Sequence, residues 1–474
     1  MDLHVNLTDR RDLAGQIYRQ IRSGVLDGLL RPGETLPPTR ELAARLAVSR
    51  NTVSAAYDRL TAEGFLTTRV GAGTFVAAGL FAGPSAEGRA RARRPARPPR
   101  PRAVWGTIPE SPLAMADAPE FDFRAGSPDA RLFPYQAWRR LLTREVSASA
   151  VPPGAHGDPA GHPALRAAIA RHVGVSRAVP AGADDVIVTA GAQQALDLVA
   201  RVLLAPGDTA AVEDPGYPPP RWLLATQGVR VAAVPVDAEG LVVDAIPAGA
   251  RMVHVTPSHQ FPLGLAMSLE RRMALLAWAE RQDAVIVEDD YDSEFRYGGR
   301  PIEPLHSLDR GGRVVYVGSF SKVLLPSLRL GFLVAPPSLR EALRTARHIA
   351  DLHGPLAEQG ALAGLIDEGL LARHIRRMRG EYRRRHEHIG RVLARDFAEI
   401  LEVVPSAAGL HLSALLPEGT DDRAVVARAR EAGVGLLPLS DFFAGRGRPG
   451  LLLGYGAIAP GRIEEGLARL RKAL

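Results

Sequence analysis

Four short apolar runs recur between residues 186 and 317 of this chain: Val186-Ile187-Val188-Thr189, Met252-Val253-His254-Val255, Ala284-Val285-Ile286-Val287 and Val314-Val315-Tyr316-Val317. They do not alternate with polar residues, and stretches of helical character separate them. Runs of this kind need cover on both faces, which predicts a mainly parallel sheet between helices. The pattern extends over about residues 119–474. Upstream the chain reads differently. Residues 11–77 show helical periodicity followed by a hairpin. Residues 80–118 are rich in Ala, Gly, Pro and Arg, with Pro95, Pro98, Pro99 and Pro101 favouring an extended connector. We expect a head at 1–79, a connector at 80–118 and a large α/β domain at 119–474. No internal repeat is evident.

Composition narrows the class. The 46% hydrophobic content is ample for a core. With no Cys, neither a disulfide framework nor a thiolate metal site is available, and no metal site is expected. Residues 1–10 lack the apolar core of a signal peptide, and no stretch approaches the ~20 apolar residues of a membrane span. These features point to a cytoplasmic protein with no membrane partner. The net charge is +7, and residues 81–104 alone carry seven Arg against one Glu. A basic N-terminal region suits a polyanion as well as it suits a solvated connector.

Of the 59 basic residues, only Lys322 and Lys472 are lysine. Arg replaces Lys wherever charge suffices, but it cannot lose a proton and attack a carbonyl. Lys472 is third from the C-terminus. Lys322 follows the run 314–317 within Val317-Gly318-Ser319-Phe320-Ser321-Lys322, so its retention suggests amine chemistry at a strand end.

In the head, Leu13, Ile17 and Ile21 share one helical face. Arg31-Pro32-Gly33 breaks the chain. Thr39 is expected to cap a second helix, with Leu42 and Leu46 turned inward. Ala47-Val48 makes a tight turn. Ser49 caps a third helix, buried along Val53, Tyr57 and Leu60. Arg50, Asn51, Thr52 and Ser54 then cluster where a recognition helix meets the major groove. Leu66 to Val76 forms two short strands around Gly71-Ala72-Gly73, a wing.

The segments Leu36-Pro37-Pro38-Thr39-Arg40-Glu41-Leu42-Ala43, Val48-Ser49-Arg50-Asn51-Thr52-Val53 and Leu60 through Val76 resemble the GntR-type winged helix-turn-helix. That resemblance implies double-stranded operator DNA as partner. Arg40 and Arg50 would contact phosphate or guanine, and Ser49, Asn51 and Thr52 would belong to the same DNA-facing set. Arg69 and Gly71 would enter the minor groove with the wing.

The large domain gathers a second set. Asp289 and Tyr291, two apart near the end of one strand, point to one face. Lys322 ends the next clear strand, where open α/β sheets bind ligands. A carboxylate, a phenol and an amine together match pyridoxal 5′-phosphate, whose ring nitrogen, 3′-oxygen and aldehyde need those groups. Thr189-Ala190-Gly191-Ala192-Gln193-Gln194 joins a strand to a helix and suits the phosphate. The region resembles the fold-type I, aminotransferase-like pyridoxal phosphate proteins. Joined to a GntR-type head, it is similar to the MocR family of bacterial transcription regulators. The likeness is carried by Glu213-Asp214-Pro215-Gly216-Tyr217-Pro218, Pro257-Ser258-His259-Gln260-Phe261-Pro262, Glu288 through Phe295, and Ser319-Phe320-Ser321-Lys322 through Gly331.

The resemblance implies a large transferase-like domain with a mainly parallel sheet and a smaller C-terminal α+β part. Lys322 would hold the cofactor covalently, Asp289 would pair with the ring nitrogen and Tyr291 with the 3′-oxygen. Tyr217 would stack on the ring. Gly191, Ala192, Gln193, Ser319, Ser321 and Arg329 would hold phosphate. Two departures stand out: Ala190 and Ala192 occupy places that often carry hydroxyls, and Leu263 precedes Gly264 where Thr or Ser is usual. The Arg that grips a substrate carboxylate in many relatives is not identified; Arg446 and Arg448 are assigned to a solvated loop. The expected function is a homodimeric regulator sensing a small amine, an amino acid or pyridoxal phosphate itself. Two other readings stay open: a working aminotransferase that carries a DNA-binding head, and a cofactor-free dimerising scaffold.

Overall fold

The computed structural model describes residues 5–78, 99–110, 118–147, 156–298 and 302–474. They fall into two compact units divided between Arg100 and Pro101.

The first unit has three helices, α1 (Leu13–Leu26), α2 (Thr39–Leu46) and α3 (Arg50–Ala62). Three short strands accompany them: β1 (Thr35–Leu36), β2 (Leu66–Arg69) and β3 (Gly73–Val76), in the sheet order β1-β3-β2. Ile17, Ile21, Val25, Leu42, Val53 and Leu60 are each 0% exposed and form the head's core. Ala47 takes a left-handed conformation with φ 52°, which turns α2 into α3. Ser49 caps α3 as expected, accepting from the Thr52 N–H at 3.1 Å. Thr39 does not cap α2. Pro38 takes the N-cap position, and the Thr39 hydroxyl accepts from Arg50 Nε at 3.4 Å. Strand β1 was not anticipated, because two residues carry no readable period; it exists through its pairing with β3.

The second unit opens with part of the expected connector. Residues 79–98 and 111–117, with Pro95 and Pro98 among them, lie outside the described residues. Residues 99–110 are not simply extended. They contain a 3-10 turn at Ala103–Gly106, and Arg102 donates to the Thr226 carbonyl at 2.5 Å. That carbonyl lies at the C-terminal end of a helix, where backbone acceptors are left over and cations are favoured.

The remaining elements of this unit are β4 (Phe121–Asp122), α4 (Tyr135–Glu145), α5 (Pro163–Arg177), β5 (Val186–Thr189), α6 (Ala192–Leu203), β6 (Thr209–Asp214), α7 (Pro218–Thr226), β7 (Arg230–Asp237), β8 (Gly240–Leu241) and β9 (Ala250–Val255). They continue with α8 (Leu269–Gln282), β10 (Val285–Asp290), α9 (Leu305–Leu308), β11 (Val314–Ser319), β12 (Gly331–Val334), α10 (Arg340–Asp351), α11 (Leu356–Asp367), α12 (Leu370–Asp396), β13 (Glu402–Val403), β14 (His411–Leu415), α13 (Asp422–Glu431), β15 (Val434–Gly435), β16 (Leu437–Pro438), β17 (Gly450–Gly454) and α14 (Ile463–Ala473). The large sheet runs β5-β12-β11-β10-β9-β6-β7-β8. It is parallel except at β12, antiparallel to both its neighbours, and at β8. A second, antiparallel sheet, β13-β14-β17-β16, makes the smaller C-terminal part.

Strand β10 is buried along its whole length. Alternation sends Asp289 to one face and Glu288 and Asp290 to the other. On the second face Asp290 Oδ2 accepts from Arg177 Nε at 2.7 Å and from the Tyr316 hydroxyl at 2.6 Å. Glu288 accepts from the Leu305 and His306 N–H groups, both at 2.9 Å. Burial, with Asp290 beside it, pushes the Glu288 pKa from 4.5 up to about 7. Between those two values the folded state holds a proton that the unfolded chain has released. The stability linked to that proton is complete below 4.5 and is lost as pH rises through about 7. Glu288→Gln should therefore flatten the fall in melting temperature across that window; an unaltered slope would count against this assignment.

Candidate functional site

Strands β5, β6, β9, β10 and β11 run in one direction, so their carboxyl ends share one edge of the sheet. A cavity of about 220 Å³ opens there, bounded by Gly126, Tyr217, Asp289, Tyr291, Lys322 and His411 among others. Lys322 lies in the turn between β11 and β12, anchored by the buried Val323 and Leu324. Its Nζ donates to the Gly126 carbonyl at 2.6 Å. Burial lowers the pKa of this amine, against the opposing pull of Asp292 and Asp289. The shift enlarges the neutral, nucleophilic fraction.

Asp289 Oδ2 sits 3.5 Å from His254 Nε2. Its Oδ1 is buried without a hydrogen-bond partner. An unpartnered buried carboxylate oxygen is unfavourable by about 1–3 kcal/mol or more, and a donor entering the cavity would relieve that. The Tyr291 hydroxyl meets His259 Nδ1 at 3.0 Å, and the same nitrogen lies 3.0 Å and 3.1 Å from the Asp292 carboxylate oxygens. His259, Asp292 and His411 offer ligand atoms within 4.8 Å of one another, but a cation there would have to displace these bonds. Tyr217 lines the cavity edge-on to Phe261, with ring centroids 5.7 Å apart. Burial raises its pKa to about 12, so the phenol stays neutral.

The cavity is also lined by Ala192 and Gln193, which open α6, and by Ser319, Ser321 and Arg329. The helix start leaves backbone N–H groups free for an anion. The Ala190 N–H is not among them, since it donates to Gln194 Oε1 at 2.8 Å. Arg329 donates to the Ala190 carbonyl. Gly191 is not on the cavity wall; it has φ 97°, and a Cβ there would lie 2.9 Å from Arg329 Nη2. The pocket thus offers an amine for an aldehyde, an orphaned carboxylate for a ring nitrogen, an aromatic face and an anion cradle. That donor set fits pyridoxal phosphate.

In the head, Arg40, Ser49, Arg50 and Asn51 are exposed around the start of α3. The hydroxyls of Ser49 and Thr52 bond each other at 2.7 Å, so part of their capacity is spent inside the cap. Arg69 and Gly71 are exposed in the hairpin, with the Arg69 guanidinium 5.3 Å from the centre of the Phe75 ring.

Two family models match the chain: bacterial regulatory proteins of the gntR family over residues 13–76, and aminotransferase class I and II over 128–448. The probable rhizopine catabolism regulatory protein MocR of Rhizobium meliloti is 39% identical, over 97% of this chain and 93% of its own. The pyridoxine biosynthesis transcriptional regulator PdxR of Corynebacterium glutamicum is 34% identical, over 100% and 98%. The chain belongs to the MocR family of transcription regulators. Among solved structures, the α-aminoadipate aminotransferase LysN of Thermus thermophilus, complexed with N-(5′-phosphopyridoxyl)-L-leucine, superposes with a TM-score of 0.69. It is 32% identical and covers 75% of this chain and 92% of its own. The large domain of this MocR-type chain is a pyridoxal phosphate domain of aminotransferase fold, and its head is a DNA-binding helix-turn-helix.

Sequence reasoning assigned no role to Gly126, His254, Thr256, Phe261, Asp292, Leu410 or His411, all of which line the cavity or touch Asp289. His259 and Asp292 lie in the segments 257–262 and 288–295, and their pairing across 33 residues leaves no local mark in the sequence. Gly191→Ala places a side chain in a backbone region open essentially to glycine, at about 1–3 kcal/mol, and displaces Arg329. Its pyridoxal phosphate dissociation constant, read by absorbance titration, should rise by about tenfold or more; unchanged affinity would contradict the cradle.

Proposed function

We propose that this protein is a homodimeric transcription regulator in which the winged head reads operator half-sites and the large domain senses a small molecule through pyridoxal phosphate. Residues 1–79 serve as the head, 80–118 as the connector and 119–474 as the sensor. The observation that carries this reading is the amine of Lys322, enclosed beside the unpartnered Asp289 Oδ1, in a chain that also bears a helix-turn-helix. When bound, the cofactor supplies an aldehyde carbon and an electron-withdrawing ring. Lys322 holds it and Asp289 keeps a proton at the ring nitrogen. Tyr291 orients the 3′-oxygen, and Tyr217 covers one face. Ala192, Gln193, Ser319, Ser321 and Arg329 hold the phosphate, and Gly191, having no side chain, leaves room for Arg329 beside them. On the head, Arg40 and Arg50 face phosphate or guanine, with Ser49, Asn51 and Thr52 beside them; Arg69 and Gly71 follow the wing into the minor groove.

The effector is a small amine, an amino acid or the cofactor itself. For it to act as a signal it must bind one arrangement of the heads better than another, and operator DNA must change its affinity by the same factor. Operator affinity should fall with salt at a log–log slope of about −0.9 per neutralised phosphate. Arg50→Ala should weaken binding by about 1–3 kcal/mol if it contacts guanine, as read by fluorescence anisotropy. Lys322→Ala should abolish any effect of an added amine on operator affinity. A flat salt response, or an amine effect that survives Lys322→Ala, would refute this reading.

A further inference from the structure

With the phosphate end, the ring contacts and the ring face assigned, the Thr256 hydroxyl given to Glu213 at 2.6 Å and Asp292 held by His259 at 3.0 Å, the groups left around Lys322 besides Pro326 are Gly126, Phe261, Leu410 and His411. His411 is 3% exposed. Its Nε2 lies 3.0 Å from the Pro262 carbonyl oxygen. A carbonyl can only accept, so Nε2 carries the hydrogen. Burial, together with the nearby His259 and Lys322, holds the imidazole pKa well below its ordinary value. The ring is therefore neutral, and Nδ1 presents a bare lone pair. Among the described residues no donor meets that nitrogen. The Gly126 carbonyl is a second acceptor, already in contact with Lys322 Nζ at 2.6 Å.

Phe261 and Leu410 give this side apolar wall. Phe261 is backed by Leu452, on β17 opposite Ser413 of β14, which is fully buried in one cluster with Phe261, Leu437 and Phe442. Of the cations lining the cavity among the described residues, Lys322 is the reacting group. Arg329 stands at the anion end, bonded to the Ala190 carbonyl. Arg446 and Arg448 are exposed, with Arg448 paired to Glu402 at 3.0 Å. A carboxylate brought to the Gly126–His411 side would set acceptor against acceptor in a desolvated space.

We propose that the sensor pocket selects a small primary amine carrying a second hydrogen-bond donor, a hydroxyl or another amine, which it gives to His411 Nδ1, in preference to an amino acid held by its carboxylate. The inference rests on the sensor reading of the same pocket and adds the chemical class of the effector. One nitrogen of the ligand goes to the Lys322 side of the cavity, and the second donor reaches the histidine across apolar walls.

The test uses the full chain saturated with pyridoxal phosphate and three probes of matched size: ethanolamine, ethylamine and glycine. The change in cofactor absorbance is followed as each is titrated. Ethanolamine should half-saturate the change at a concentration at least about tenfold lower than the other two, the difference expected of one well-made polar contact. His411→Phe keeps a planar ring and removes the acceptor, and should bring the ethanolamine to ethylamine ratio close to one. His411→Asn, which restores an acceptor near the position of Nδ1, should recover part of it. A preference for glycine, or a ratio that persists in His411→Phe, overturns the inference alone. If none of the three probes moves the absorbance of the loaded chain, the inference is overturned and the cofactor itself is left as effector; if the chain takes up no pyridoxal phosphate, the sensor reading fails with it. The wild-type ranking decides the matter even if a substituted chain takes up no cofactor.

Discussion

A desolvated primary amine at the edge of a parallel sheet is the constraint on which the rest of the large domain turns. Lys322 reaches the cavity because β11 ends at Ser319 and the chain must reverse before the antiparallel β12. The reversal is packed hard: Val323 and Leu324 are each 1% exposed, and His374 Nε2 donates to the Val323 carbonyl at 2.8 Å. The amine cannot retreat to solvent without undoing that packing. Its polar partner is a backbone carbonyl, Gly126, and not an ion-paired carboxylate. An ion pair would have stabilised the ammonium form. Burial leaves the pKa depressed in spite of the pull of Asp292 and Asp289.

Strand β10 ties this chemistry to the core. Its three consecutive acids are divided by the pleat into two jobs. Glu288 and Asp290 bind Arg177, Tyr316 and the start of α9, and hold the strand in place. Asp289, between them, faces the cavity with one oxygen unpartnered. Breaking a buried pair by removing one member commonly costs about 3–5 kcal/mol, because the other charge is left bare. The structural face therefore fixes the strand firmly enough to hold an unsatisfied carboxylate on the functional face.

The parts of this arrangement that could be read from the chain were those whose cause is local. Apolar runs showed the strands, and Ser49 and the stripe Val53, Tyr57, Leu60 showed the recognition helix. Lys322 stood out because Arg cannot replace an amine that must lose its proton, and Asp289 and Tyr291 because two residues apart on a strand they share one face. The parts that escaped depend on long-range contact. Gly126 meets Lys322 from 196 residues away, and His259 meets Ser406 from 147. His411 gains its meaning from a carbonyl at Pro262. Strand β1 and the antiparallel course of β12 exist only through their neighbours. Thr39 was expected as a cap from residue type alone, but the Pro37-Pro38 pair sets the helix start and Arg50 takes its hydroxyl.

The family adds a physical point. A pyridoxal phosphate pocket lies in the same chain as a DNA-binding head, and the two place their charges differently: Asp289 is buried, whereas Arg40, Arg50 and Arg69 of the head are exposed. The account depends on whether the one enclosed lysine is the residue that captures the cofactor. The most direct measurement is a peptide mass map of full-length protein saturated with pyridoxal phosphate and reduced with borohydride. The account predicts a phosphopyridoxyl adduct on the peptide containing Lys322 and none on the peptide containing Lys472. A map in which Lys322 stays unmodified while the protein is folded and saturated would contradict it.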